Sequence, residues 1–204
     1  MTSSHPRNAL VTGGAKRIGR AICLCLAADG WSVGIHCHTS RRDAEELRDD
    51  IRRRGGKAYV VSADLGAEDA GVHIMAEAAA MGGNVTCLVN NASVFERDDT
   101  RTATHESWDT HMATNLRAPF FLAQAMAAGL PDTPGLEGNI INIIDQRAVN
   151  LPPGFVSYTV SKAALLSLTR SLALELAPRI RVNAIGPGPT LPSPRQTEEQ
   201  FLAQ

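Results

Sequence analysis

Short apolar runs and amphipathic stretches alternate along this chain, and that alternation constrains its fold more than any other feature. Residues 8–12, 31–36, 58–62, 85–89, 139–144 and 180–185 read as strands. Between them, residues 17–28, 41–54, 67–81, 107–129 and 157–177 carry helical periodicity. Gly30 stops the first helix, Gly55 and Gly56 the second, and Pro178 the last. In the first helix Ile18, Ile22, Cys25 and Leu26 are read as the inward stripe. Strands alternating with helices imply an α/β fold with a doubly wound parallel sheet, in the order 3-2-1-4-5-6. No internal repeat or linker divides residues 1–204, so one domain is expected. In such a sheet ligands sit at the carboxyl ends of the strands, which directs attention to the residues following them.

Charge and composition exclude several classes. The chain has 20 Lys and Arg against 21 Asp and Glu, without the basic excess that nucleic-acid phosphates require. No run of about 18 apolar residues is present, so no membrane span is expected. The first eight residues lack the apolar stretch of a signal peptide. The cysteines Cys23, Cys25, Cys37 and Cys87 form neither a CxxC pair nor a disulfide pattern. They read as small core residues of a cytoplasmic protein, and no metal site is expected. A His36-x-His38 pair lacks further ligands at a useful spacing.

Thr12-Gly-Gly-Ala-Lys-Arg-Ile-Gly19 follows the first strand and opens the first helix. Gly13 and Gly19 permit a tight turn against a helix N-terminus, where free N–H groups and the helix dipole favour an anion. A site selective for NAD places an acidic side chain at the end of strand two. Here that position reads His36-Cys-His-Thr-Ser40, followed by Arg41 and Arg42. Arg17 projects toward the same place. Guanidinium and hydroxyl donors suit a 2′-phosphate, so NADPH is expected over NADH. Arg41 and Arg42 equally suit a solvated helix start.

With Thr12-Gly13…Gly19, Asp64-Leu65, Asn90-Asn91-Ala92, Asn115, Tyr158-x-x-x-Lys162 and Pro187-Gly-Pro-Thr190 in order, the sequence resembles the short-chain dehydrogenase/reductase family. The resemblance covers residues 8 to about 190 and implies a Rossmann fold. It implies that Ile18 joins Gly13, Arg17 and Gly19 at the cofactor, with His36, His38, Thr39 and Ser40 near its phosphate. Asp64 and Leu65 would border the adenine, with Asn91, Ala92 and Ser93 in the cofactor groove. Pro187, Gly188 and Thr190 would lie along the nicotinamide half. Tyr158, Lys162 and Asn115 would be catalytic. Tyr158 and Lys162, at i and i+4, share a helix face. A nearby ammonium favours phenolate and should lower the Tyr158 pKa. Lys162 could also hold the nicotinamide ribose. Pro119 denies the Asn115 carbonyl its helical partner, so a kink is expected there, with a water held for a proton relay.

Most members of the family carry Ser thirteen residues before the tyrosine, but residue 145 is Asp. Asp145 resembles the pteridine reductase and dihydromonapterin reductase branch, as do Arg17 in the glycine turn and the residue 36–40 clamp. In that branch Phe95 would stack on a pterin, with Arg17, Ser93, Asp145 and Tyr158 also facing the substrate. The resemblance implies hydride transfer from NADPH to a C=N bond of a dihydropterin or related heterocycle, with Asp145 and Tyr158 supplying the proton. Two alternatives stand beside it: a ketone or 3-oxoacyl reductase, and an inactive NADPH-binding protein.

Residues 191–204 read as loop with a short helical start at 197–203. The family's seventh strand is therefore expected to be missing, either from truncation or because the fold dispenses with it. The helix at 157–177 is apolar nearly all round, implying a homo-oligomer: a tetramer, or a dimer without the C-terminal strand.

Overall fold

The computed structural model describes residues 7–190. The expected helical start at 197–203, and the question of a seventh strand, lie outside the described residues. Within them, six strands form one parallel sheet in the order β3-β2-β1-β4-β5-β6. The strands are β1 (Asn8–Val11), β2 (Ser32–Cys37), β3 (Lys57–Ser62), β4 (Cys87–Asn90), β5 (Gly138–Ile143) and β6 (Ile180–Ile185). The principal helices are α1 (Arg17–Ala28), α2 (Arg41–Arg53), α3 (Ala70–Gly82), α4 (His105–Met112), α5 (Ala118–Gly129) and α6 (Val156–Glu175). This is the Rossmann-like α/β architecture implied by the alternation.

Successive side chains of each strand point to opposite faces, so the sheet carries two cores. On one side Leu10, Leu88, Ile140 and Val182 meet Ile74 of α3, Leu122 and Met126 of α5 and Leu172 of α6. On the other, Val11, Val33, Ile35 and Val89 meet Cys23 of α1 and Leu47 and Ile51 of α2. The inward stripe of α1 is centred on Gly19 and Cys23, with Ile22 and Leu26 flanking it. Cys25 points to solvent, correcting its assignment to the stripe. Its replacement by Gly19 has a steric reason: α1 approaches the β1 turn so closely that only a glycine fits there.

The expected continuous helix over 107–129 is instead three pieces. Thr104 caps α4 in a reciprocal capping box with Ser107, so the helix starts two residues earlier than the sequence suggested. A π-turn, Ala113–Arg117, then separates α4 from α5. Pro119, near the start of α5, has no N–H for the Asn115 carbonyl, and the wider turn absorbs the mismatch. Residues 67–69, expected as the start of the third helix, form turns ahead of α3 instead. Among the described residues no helix is long and apolar enough to cross a membrane.

Candidate active site

The β1–α1 turn is held by side chains from three strand ends. Gly13 has φ +59°, and a Cβ on it would come within 2.9 Å of the Ala92 Cα. A Cβ on Gly19 would run into the Gly13 carbonyl and within 2.7 Å of Asn91 Nδ2. Asn91 Nδ2 donates to the carbonyls of Thr12 and Gly13 at 2.9 and 3.1 Å. Thr12 Oγ1 accepts from the amides of Asn91 and Ala92, both at 3.0 Å. Arg17 adopts φ +51°, unusual for a side-chain-bearing residue.

Above this turn lies a cleft of about 460 Å³. Gly13, Arg17, Ile18 and Gly19 line its floor; His36, His38, Thr39 and Ser40 line one wall. Asp64, Leu65, Asn91, Ala92 and Ser93 complete it. The N-terminus of α1 opens here with no side-chain cap and no acidic residue in its first turn. Such a helix start suits a phosphate.

His36, besides lining this cleft, is tied to the surrounding backbone. Its Nδ1 accepts from the Gly13 amide at 3.3 Å, so its Nε2 donates to the Ala63 carbonyl at 3.2 Å. Burial lowers its pKa to about 4. Nδ1 thus braces the glycine turn, and Nε2 ties the end of β2 to the segment that follows β3. Arg41 and Arg42 form helical ion pairs with Glu45 and Glu46 at 2.9 and 3.0 Å, the solvated-helix alternative. Lys16 pairs with Asp43 at 3.1 Å.

A second cluster gathers at the carboxyl ends of β4 and β5. Tyr158 Oη donates to Asp145 Oδ2 at 2.7 Å, while Asp145 Oδ1 accepts from the Arg147 amide at 2.8 Å. Asp145 therefore also caps the short 3₁₀ turn Gln146–Ala148. Lys162 is almost fully buried and shares the α6 face with Tyr158; its Nζ lies 5.8 Å from the Tyr158 ring centroid. That Nζ donates to the Ile143 carbonyl at 2.8 Å, tying α6 to β5. Burial lowers the Lys162 pKa to about 8.

The Tyr158 pKa moves upward, opposite to the expected effect of Lys162. Burial contributes most, followed by the charge of Asp145 and its hydrogen bond. The phenol is thus held as the protonated donor. Ser93 lines the cleft and also reaches the Tyr158 side chain, linking the two clusters.

Asn115 is fully buried. Its side chain grips Val94 at both ends, accepting from the amide at 2.8 Å and donating to the carbonyl at 2.9 Å. It also donates to Ser161 Oγ at 3.0 Å, and Ser161 Oγ donates to the Tyr158 carbonyl at 2.7 Å. Sequence reasoning missed Ser161, although its position three residues after Tyr158 puts it on the same helix face.

The Phe95 ring stacks on Phe155, with centroids 4.8 Å apart and planes within 4°, and meets Tyr158 edge-on at 4.6 Å. The Arg147 guanidinium lies over both phenylalanines, at 5.0 and 4.7 Å. Neither Phe155 nor Arg147 was singled out from the sequence, since each sits in a stretch without periodicity. Pro187, Gly188 and Thr190 are not among the residues lining this cleft. The Pro187 carbonyl accepts from the Gln146 amide at 3.2 Å, placing this segment beside the Asp145 turn.

The chain belongs to the short-chain dehydrogenase family: residues 7–201 match the profile described as "short chain dehydrogenase". Among its relatives, the FolM alternative dihydrofolate reductase 1 of Brucella canis, solved with NADP, is 48% identical. It superposes with a TM-score of 0.90 over 95% of this chain and 76% of that one. A blue fluorescent protein from a metagenomic library, solved with NADPH, is 34% identical with a TM-score of 0.87, over 97% of this chain and 81% of that one. A 3-oxoacyl-[acyl-carrier-protein] reductase of Staphylococcus epidermidis is 32% identical over 187 residues, 89% of this chain and 74% of that protein.

Proposed function

We propose that this protein is an NADPH-dependent reductase of a dihydropterin or related nitrogen heterocycle. The observation that carries this reading is the 2.7 Å bond from the Tyr158 hydroxyl to Asp145 at the end of β5. A serine in place of Asp145 would offer a hydroxyl donor to a ketone. A carboxylate instead accepts from the N–H groups of a heterocycle and shares a proton with the phenol. The 48% identity to a protein named as an alternative dihydrofolate reductase supports the same substrate class.

The cleft fits the cofactor: a Cβ would fill the glycine cradle, and the uncapped end of α1 faces the space. The turn from Gly13 to Gly19 would hold the diphosphate. Arg17, His38, Thr39 and Ser40 would surround the 2′-phosphate, and Asp64 and Leu65 the adenine. Asn91, Ala92 and Ser93 would line the groove toward the nicotinamide, which Tyr158, Lys162, Pro187, Gly188 and Thr190 would flank. When bound, NADPH supplies the hydride.

The chain's own groups manage the proton. Tyr158, kept protonated by burial and Asp145, donates from Oη to the substrate nitrogen as the C=N bond becomes CH–NH. Asp145 orients that nitrogen through its N–H neighbours. Lys162, with a pKa brought down to about 8, returns a proton toward Tyr158 near neutral pH. Asn115, whose side chain bonds Ser161 beside Tyr158, holds the outer end of the relay. Phe95, Ser93 and Arg17 face the substrate, Phe95 as a stacking wall. The exposed apolar side chains of α4, α5 and α6 suit a homo-oligomer, as a dimer or tetramer, and the four free thiols suit the cytoplasm.

The test is NADPH consumption by the purified chain with dihydrobiopterin, dihydromonapterin and dihydrofolate, against a small diketone. Turnover on at least one pterin is the expected result. Turnover on the diketone alone would replace this reading with that of a carbonyl reductase.

A further inference from the structure

Residues between β4 and the start of α4 include the loop that carries Phe95. Its backbone at 92–97 belongs to no helix or strand, so no ladder of backbone bonds holds it. It is held instead at alternate residues. Asn115 grips Val94 at both its amide and its carbonyl. His111, fully buried in the last turn of α4, accepts from the Glu96 amide through Nε2 at 3.2 Å. Asp98, also buried, accepts from the Ser157 amide at 3.1 Å and forms a parallel bridge with Phe155.

Anchors at 94, 96 and 98 leave 95 and 97 to project the other way, and both meet the Phe155 ring. Phe95 stacks on it, and the Arg97 guanidinium lies 5.6 Å over it. The tautomer of His111 follows from its partners. Because Nε2 accepts, Nδ1 carries the proton and donates to the Ser107 carbonyl at 2.7 Å. Its ring also meets the Tyr158 ring edge-on, with centroids 6.4 Å apart. His111 and Asn115, four residues apart, thus form a two-point clamp on either side of Phe95.

We propose that His111 is a positioning residue: it fixes the Glu96 backbone and thereby the Phe95 ring beside Tyr158, setting the affinity for a flat heterocyclic substrate. This rests on the pterin reading above. His111 touches no reacting atom and acts through Phe95.

The test pairs two variants. His111→Asn keeps a donor for the Ser107 carbonyl but is too short to accept from Glu96. His111→Gln places an oxygen near the position of Nε2. In His111→Asn, the KM for dihydrobiopterin should rise roughly three- to tenfold, the worth of one well-placed aromatic contact. Its kcat, its KM for a small diketone and its NADPH dissociation constant should stay near those of the parent protein. Amide hydrogen exchange of the peptide containing Glu96 should quicken by about fivefold, as expected for one lost hydrogen bond. His111→Gln should restore both KM and exchange.

Unchanged exchange at Glu96, failure of His111→Gln to restore it, or a parallel loss of pterin, diketone and NADPH binding would overturn the proposal. If the parent protein binds NADPH but turns over no pterin, the pterin reading fails. The Glu96 exchange in the two variants then decides by itself whether His111 holds the loop.

Discussion

Asp145 does two jobs, one with each oxygen. Oδ1 caps the 3₁₀ turn by accepting from Arg147, and Oδ2 takes the Tyr158 hydroxyl. Replacing Tyr158 with Phe removes the proton donor while keeping the ring. Pterin turnover should fall by about 10²–10⁴, with NADPH affinity retained, as read by steady-state kinetics beside a binding titration. His36 gives a prediction in pH. Its folded pKa of about 4 lies below its ordinary 6.5, so the unfolded chain takes up the proton first. The stability it contributes is complete above pH 6.5 and is lost as pH falls toward 4. Thermal melts across that window should show Tm dropping with acid, and His36→Asn should show a flatter dependence. The position of His36 at the end of strand two was legible in the sequence. Its task was not, because the Gly13 amide it braces is brought to it only by the pairing of β1 with β2.

At the scale of elements, the glycine turn and the π-turn decide the site. A methyl at Gly19 would meet the Gly13 carbonyl, so Gly19→Ala should abolish tight NADPH binding in a fluorescence titration while leaving the protein folded by circular dichroism. Asn115→Ala would leave the Val94 amide and carbonyl without their partner. It should cost about 1–3 kcal/mol in a denaturant titration and lower activity as the Phe95 loop loosens. The glycine turn and Pro119 both carry local signals: one marked a tight turn, the other a disturbed helix. The π-turn itself was invisible, since a proline announces a disturbed helix without saying whether the helix bends or widens. The Phe95 loop was the least legible part. Its anchors are gathered by tertiary packing: His111 from α4, Asn115 from the π-turn, and the Ser157 amide of α6 that holds Asp98; no period in the sequence links them.

Across the whole molecule, the sheet order follows from strand alternation and right-handed crossovers, and these were available from the sequence. Surface chemistry adds an expectation about assembly. Trp108, Phe120 and Phe121 are each more than a third exposed on α4 and α5, in a chain whose aromatic content is 4%, and Leu174 of α6 is 84% exposed. Light scattering at micromolar concentration should give a dimer or tetramer, and Phe120→Glu should shift the mass downward. A monomer for the parent protein would contradict this. The reading of the active site itself turns on Asp145, and the most direct measurement compares the parent protein with Asp145→Ser on dihydrobiopterin and on a small diketone. The account predicts that the variant loses pterin turnover by about tenfold or more while keeping or gaining diketone turnover. Equal turnover of the pterin by both proteins would show that the carboxylate has no part in choosing or protonating the substrate.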